Sequence, residues 1–245
     1  MKIKYFIILI LIVFGVSCSS VRKRPISRES QRILKMEEES RNYFKAYDPW
    51  EPFNRRMYYF NAKFDEYIFL PVVDTYRYVT PNFVEKGVHN FFSNLSEIRT
   101  FVNSSLQLKG KKTLVTFNRF AINSTFGVLG FFDLASQAGL KGYKEDFGQT
   151  LTYYGVRPGP YLILPLLGPS TLRDASGIGV DTVVQSYADP LRLGDASRND
   201  TEFLVTNSVD SRSNVDFRYY STGTPFEYEY LRFLYIKIRE IQGQN

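Results

Sequence analysis

The 245-residue chain has one cysteine, one histidine and one tryptophan. A lone histidine, His89, leaves any serine nucleophile with a single candidate base, and no Gly-x-Ser-x-Gly elbow precedes a helical stretch. One histidine and one cysteine supply too few nitrogen and sulfur ligands for zinc. No glycine-rich loop ends in Lys-Ser or Lys-Thr to cradle a phosphate, and the carboxylates are too scattered to pair as acid and base. The expectation is a protein that is not an enzyme and carries no cofactor or metal, with His89 at the surface or at the rim of a pore. Long apolar runs are lacking too, since the stretch 5–14 is far shorter than the ~20 residues that span a bilayer. The net charge of +6, falling to +4 without Lys2 and Lys4, is no nucleic-acid signature.

Those two lysines and the apolar stretch after them read as an export signal. It leads to Gly15-Val16-Ser17-Cys18, which places the only cysteine where a lipoprotein signal peptidase cuts, although Gly15 stands where leucine is usual. An exported free thiol would be unusual, because exported cysteines are normally paired or modified. Cys18 is therefore expected to be acylated, and with about 0.8 kcal/mol per buried methylene several acyl chains hold a protein on a membrane far more firmly than one. Ser19, not aspartate, follows the cysteine, which favours the outer membrane. The expected organisation is a signal peptide 1–17, a lipidated N-terminus and charged linker 18–46, a helical body 47–241 and a tail 242–245.

Aromatic residues are abundant, with 21 Phe and 18 Tyr. They suit a membrane interface and they suit an ordinary core, so composition alone does not decide. Helical spacing recurs at Phe53, Met57, Phe60 and Phe64 after a candidate cap at Asp48, with Pro71 as the stop. It recurs at Val84, Val88, Phe91, Leu95, Ile98 and Val102 after Pro81, and at Leu114, Phe117 and Phe120. Asn118, Arg119 and Asn123 fall off that last stripe. Between 146 and 174 glycines and prolines rule out a helix and leave the apolar run Tyr161-Leu162-Ile163-Leu164, a structured loop or hairpin. Ser170 or Thr171 then caps a helix that Gly177 and Gly179 weaken, a less amphipathic helix covers about 197–212, and a last one covers about 225–241. The fold class is all-α, in one domain with one Gly/Pro-rich apolar hairpin.

Residues 48 to about 239 closely resemble the MlaA family, also called VacJ lipoproteins. The resemblance rests on Asp48-Pro49-Trp50-Glu51-Pro52-Phe53-Asn54-Arg55, on Asn90-Phe91-Phe92-Ser93-Asn94-Leu95 and on Arg119-Phe120-Ala121-Ile122-Asn123-Ser124-Thr125-Phe126-Gly127. It continues in Glu145-Asp146-Phe147-Gly148-Gln149-Thr150-Leu151 and in 164–174, while the C-terminal block from Pro225 matches more loosely. It implies helices forming a ring around an amphipathic channel in the inner leaflet of the outer membrane. It further implies removal of phospholipid from the outer leaflet toward a soluble periplasmic lipid-carrier protein, commonly beside a porin trimer. The rival reading is a non-transporting envelope scaffold that binds a porin.

Polar residues flanking the apolar faces are the candidate channel wall: Asn54, Arg55, Asn94, Arg119, Asn123 and Arg173, the arginines because a planar fork donates two bonds to a phosphate. The segment 154–168, with permissive Gly155, Gly159 and Gly168 around Leu162, is expected either to gate the channel or to plug the underside of the body. For the anchor, Cys18→Ala should abolish lipidation and leave the leader uncut or misprocessed, read by mass spectrometry of the N-terminal peptide; an unmodified mature N-terminus in the wild type would refute the anchor.

Overall fold

A computed structural model describes residues 47–188 and 201–244. The expected signal peptide, Cys18 and the linker to residue 46 lie outside the described residues, as does Asn245.

Helix α1 (Glu51–Phe64) carries Pro52 in its first turn, where a missing N–H costs little. Asp48, expected as its cap, does not cap it: Trp50 takes that position without a side-chain bond. The Asp48 carboxylate instead accepts from Asn54 Nδ2 at 2.8 Å and from Arg232 at 2.9 Å. Pro71 does not end the helical path either. One π-helical turn (Asp65–Phe69) intervenes, with Leu70 N–H reaching back to Asp65 O, and α2 (Leu70–Val79) continues with Pro71 in its first turn. The wider turn relieves the clash that a proline ring makes in a regular helix.

Helix α3 (Asn82–Leu106) starts after an extended Pro81 and turns through 107–109 into α4 (Gly110–Thr125), against which it packs. The short α5 (Leu134–Gln137) is capped by Asp133. Helix α6 (Phe147–Tyr153) lies where a loop was expected; Asp146 caps it by accepting the Gln149 N–H at 2.9 Å, and that is enough to start two turns ahead of the breakers. Strands β1 (Tyr161–Leu164) and β2 (Gly168–Thr171) pair antiparallel, Tyr161 opposite Thr171 and Leu164 opposite Gly168. This is the hairpin expected between 146 and 174. Thr171 Oγ1 accepts from Asp174 N–H at 3.2 Å at the start of α7 (Leu172–Ala188). Helices α8 (Thr201–Ser213) and α9 (Glu227–Gln244) follow, and the last turn of α9 takes up most of the expected tail. The chain is all-α apart from the hairpin among the described residues.

The helices turn the opposite face inward from that of a water-soluble bundle. On α1 the buried side chains are Asn54, Tyr58, Asn61 and Ala62, while Phe53 and Phe60 are 48% and 46% exposed. On α3 they are chiefly Asn94, Leu95, Glu97, Thr100, Asn103 and Ser104, and on α4 Thr116, Arg119 and Asn123. On α9 they are Glu227, Tyr228, Glu229 and Arg232, with Tyr230, Leu234, Ile238 and Ile241 outside. Among the described residues nine hydrophobic side chains are buried against 25 polar or charged ones. Fully burying a Phe or Leu is worth about 1.5–3 kcal/mol, so dozens of half-exposed apolar side chains forgo tens of kcal/mol if water covers them. An apolar exterior of this extent marks contact with hydrocarbon or another protein.

The hairpin is fastened to this interior by two asparagines seven residues apart on α1. Asn54 Nδ2 donates to Tyr161 O at 3.0 Å and Asn54 Oδ1 accepts Ile163 N–H at 2.9 Å. Asn61 repeats the arrangement, donating to Leu164 O at 2.9 Å and accepting Leu166 N–H at 2.8 Å. Each amide acts as a segment of neighbouring strand along the free edge of β1. Between the two, Tyr161 and Ile163 are only 1% exposed and pack with Tyr58 and Tyr228. Asn54→Ala leaves two buried backbone groups unpaired at about 1–3 kcal/mol each, so a loss of several degrees in melting temperature is expected, with Asn61→Ala somewhat milder because its site is less enclosed. Thermal melts in detergent measure it; a shift below one degree for both variants would remove the clamp from the account of the fold.

Candidate functional site

A partly open cavity of about 210 Å³ lies where α3, α6, α7, α9 and the end of β2 converge. Arg99, Asp146, Ser170, Asp174, Asp181, Tyr235 and Arg239 line it, with Ile178 and Pro169 as apolar wall. Two glycines permit this convergence. A methyl group on Gly177 of α7 would sit 2.6 Å from Gly148 N on α6, and one on Gly148 would sit 2.5 Å from an Arg239 nitrogen and 2.6 Å from Asp174 Oδ1. Gly177 thus serves close backbone approach, which outweighs its cost to helix propensity.

Arg239 is the centre of the charge arrangement. It grips Asp146 with two nitrogens at 2.7 and 2.8 Å and Asp174 with bonds of 3.0 Å from Nε and Nη2. Asp174 also accepts from Arg173 Nε at 2.9 Å and from the Tyr235 hydroxyl at 2.8 Å. Burial alone would raise the Asp146 carboxyl, but the hydrogen bonds and charge of Arg239, helped by Gln149, outweigh it and hold it at about 2. Asp174 is lowered in the same way against burial by Arg239 and Arg173. Asp181 differs. Burial raises its carboxyl, and the Phe147 N–H, the Asn103 amide and the charge of Arg99 only partly offset that. Asn103 Nδ2 donates to Asp181 at 2.8 Å and Phe147 N–H at 3.0 Å, while no cation is in ion-pair contact with it among the described residues. Arg99 is the complement: its Nε is buried without an acceptor, and among the described residues no carboxylate is within ion-pair distance of it.

The six residues expected along a channel wall are placed in internal networks with their donors engaged. Asn54 is held by Asp48, Tyr161 and Ile163. Arg55 joins Glu51 at 2.9 Å, pairs with Glu229 and lies 4.4 Å from the Tyr228 ring centre. Asn94 donates to Ser124 Oγ at 2.9 Å. Arg119 binds Glu97 at 2.6 Å, Leu140 O at 2.7 Å and Ser136 Oγ at 3.0 Å. Asn123 bonds Asp133 at 3.0 Å and the Ala135 N–H at 2.9 Å. Arg173 is used by Asp174 and by Val156 O at 3.2 Å. None of the six lines the cavity. Arg119 and Arg173, expected along the wall for their phosphate-binding forks, are each paired with a buried carboxylate, Glu97 and Asp174.

Gly155, Gly159 and Gly168 adopt φ of 82°, 70° and 82°, left-handed backbone that glycine takes without strain. Leu162 nevertheless sits in the middle of β1, opposite Ser170, on a strand tied to α1 at four backbone groups. A gating movement of the whole segment would have to break all four bonds.

His89 meets Asp210 Oδ2 at 3.1 Å and Ser93 Oγ at 3.5 Å, which resembles a hydrolytic triad in outline. Ser93 lies in the interior of α3, however, where the nearby N–H groups are spent on i→i−4 bonds and cannot form an oxyanion hole.

Sequence reasoning missed Arg99, Asp181, Tyr235 and Arg239. One signal was present for Asp181 and Arg239, though not for Arg99: polar residues seven apart on apolar helices, as in Asn54/Asn61, Thr116/Asn123, Asp174/Asp181 and Arg232/Arg239. A sevenfold step returns to the same helix face.

With this geometry in hand, the chain can be set beside known proteins. The family model described as MlaA lipoprotein matches residues 46–242. An uncharacterized protein of Rickettsia prowazekii (strain Madrid E) is 39% identical over 169 residues, 69% of this chain and 66% of its own length. The intermembrane phospholipid transport system lipoprotein MlaA of Escherichia coli (strain K12) is 42% identical over 134 residues, 53% of each chain. The chain thus spans just under two thirds of the first relative and about half of the second. A solved structure on the structural basis for maintenance of bacterial outer membrane lipid asymmetry is similar with a TM-score of 0.68 at 31% identity, covering 81% of this chain and 100% of that one.

Because the Asp146 carboxyl is depressed in the folded protein, the stability it contributes is complete above about pH 4 and is lost as the pH falls toward 2. Wild-type unfolding free energy, and with it the melting temperature, should decline over that window, this group contributing up to about 2 kcal/mol. Arg239→Gln should start lower at pH 7 and show a flatter decline, and Gly148→Ala should destabilise by about 1–3 kcal/mol through crowding. Equal slopes for Arg239→Gln and wild type between pH 4 and 2 would disprove the assignment.

Proposed function

This chain belongs to the MlaA lipoprotein family, and from that premise we propose that it removes mislocalised phospholipids from the outer leaflet of the outer membrane and passes them toward a soluble periplasmic carrier, so maintaining lipid asymmetry. The observation that carries this reading is the reversed burial: apolar side chains outward, polar and charged ones inward. A phospholipid has the same division. Its acyl chains lose nothing beside Phe, Leu and Ile side chains, whereas its head group cannot cross hydrocarbon without polar partners. A body that presents both surfaces lets one molecule stay solvated at both ends while it moves.

No helix among the described residues is long and apolar enough to cross a membrane. The reading is therefore of amphipathic helices lying within one leaflet, with Cys18 as the lipid anchor on the periplasmic face. The relatives named for intermembrane phospholipid transport support the transport role. The family resemblance supports the carrier and a porin trimer as partners, and a ring of helices around a channel as the form of the passage. We assign no covalent chemistry to the protein. In support, the sole histidine lacks an oxyanion hole beside it.

The test is to delete the gene and measure surface phosphatidylethanolamine on intact cells with an amine-reactive, membrane-impermeant label. Labelling should rise several-fold in the deletion strain and return to normal with the wild-type chain, while Gly177→Trp, which drives α6 and α7 apart, should not restore it at equal protein level. Unchanged labelling in the deletion strain would reject transport and leave the porin-binding scaffold.

A further inference from the structure

The charges around the cavity do not all cancel in contact. Arg239 and Arg173 consume Asp146 and Asp174. Arg99 and Asp181 remain. The charge of Arg99 reaches Asp181, yet no ion pair joins them among the described residues, so a gap separates a guanidinium from a carboxylate that both face the same cavity. Each is incompletely answered: Arg99 Nε is buried without an acceptor, and Asp181, 6% exposed, is met only by the neutral Phe147 N–H and Asn103 amide. Each carboxylate oxygen of Asp181 keeps a lone pair free, since a carboxylate has about four acceptor sites.

Resting on the phospholipid reading above, we infer that this cavity is a clamp for a zwitterionic, amine-bearing phospholipid head group, with Arg99 receiving the phosphate and Asp181 the ammonium. A phosphodiester offers the guanidinium planar, bidentate acceptance. A primary ammonium on a two-carbon spacer supplies N–H donors and the positive charge that Asp181 lacks. The volume of about 210 Å³ far exceeds the ~10–15 Å³ that admits one water, so several heavy atoms fit. Ser170 and Gln185 add polar contacts, and Ile178 faces the spacer and glycerol. A lipid without the ammonium brings a second negative group toward Asp181 and leaves its charge unanswered, and a quaternary amine brings no N–H to donate.

The experiment uses the full-length protein purified in detergent and offered equal amounts of dioleoyl phosphatidylethanolamine and dioleoyl phosphatidylglycerol, with bound lipid counted by native mass spectrometry. Wild type should hold phosphatidylethanolamine over phosphatidylglycerol by about tenfold, the size of one charged hydrogen bond. Asp181→Asn should bring that ratio close to one without reducing bound phosphatidylglycerol. Arg99→Gln should lower both lipids about tenfold, and Arg99→Lys should restore part of the loss. A wild-type ratio near one, or a ratio that Asp181→Asn leaves unchanged, overturns the clamp while leaving transport intact. A wild type that retains neither lipid overturns the transport reading as well. If Asp181→Asn does not fold, the wild-type ratio and the two Arg99 variants decide the matter.

Discussion

A body that turns hydrocarbon side chains outward and polar ones inward has to answer its buried polar groups from within. A buried donor or acceptor left unpaired costs about 1–3 kcal/mol or more, so most of the interior's polar groups answer one another. This constraint explains why asparagines and threonines stand where a soluble bundle would place leucine. Asn54, buried completely, uses both amide hydrogens and its oxygen on three partners from two other parts of the chain. Asn103 and Thr150 do likewise, Thr150 Oγ1 donating to Asn103 Oδ1 at 2.7 Å while accepting from Gln107 at 3.0 Å. Tertiary structure here is a hydrogen-bond network with aromatic rings packed into its gaps.

Charge pairs extend that network across the chain. Arg232 meets Asp48 at 2.9 Å, Arg212 grips Asp65 at 2.7 and 2.8 Å, and Arg239 reaches Asp146, so α8 and α9 are bound to elements far earlier in sequence. Removing one member of such a pair strands a buried charge, at about 3–5 kcal/mol, although the intact pair adds less than that to net stability. The pairs therefore specify which elements meet more than they stabilise the whole. Gly148 and Gly177 serve the same end, since the Arg239 fork reaches both aspartates only if α6 and α7 approach to backbone contact.

How much of this was legible in the sequence depends on what the 3.6-residue period carries. Apolar spacing located α1, α3, α4 and α9 to within a few residues, and Pro81 and Thr171 marked starts that the structure keeps. The period did not say which face turns inward. An amphipathic helix has two faces, and the surrounding medium, which the sequence does not state, chooses between them. Local rules failed where a distant partner won: Asp48 serves Arg232 and Asn54 before a helix cap, and Pro71 is absorbed by a π-helical turn. The channel-wall residues were chosen as polar residues beside apolar stripes, which finds polar positions correctly but cannot tell a spent donor from a free one. Arg119 and Arg99 are both arginines on amphipathic helices; what distinguishes them is that Glu97, Ser136 and Leu140 O meet one and leave the Nε of the other without an acceptor.

That distinction bears on how a polar interior can be a passage at all. If every charge were paired, the interior would be a stable plug, since a head group entering it would have to displace contacts already better than its own. If most were unpaired, the fold would not survive in lipid. The arrangement around the cavity lies between these limits, with Arg239, Asp146 and Asp174 fixed as a wall that Arg173 backs from outside it, and one opposite pair, Arg99 and Asp181, held apart. A rigid wall keeps that pair from collapsing into its own ion pair, in the way preorganised dipoles hold their positions in an active site. On the proposed clamp, a head group would complete contacts at Arg99 and Asp181 and could later release them, because the neutral Phe147 N–H and Asn103 amide hold Asp181 without it. Under that proposal, binding is strong enough to admit the head group and weak enough to let it go, the balance that conduction through a selective site requires.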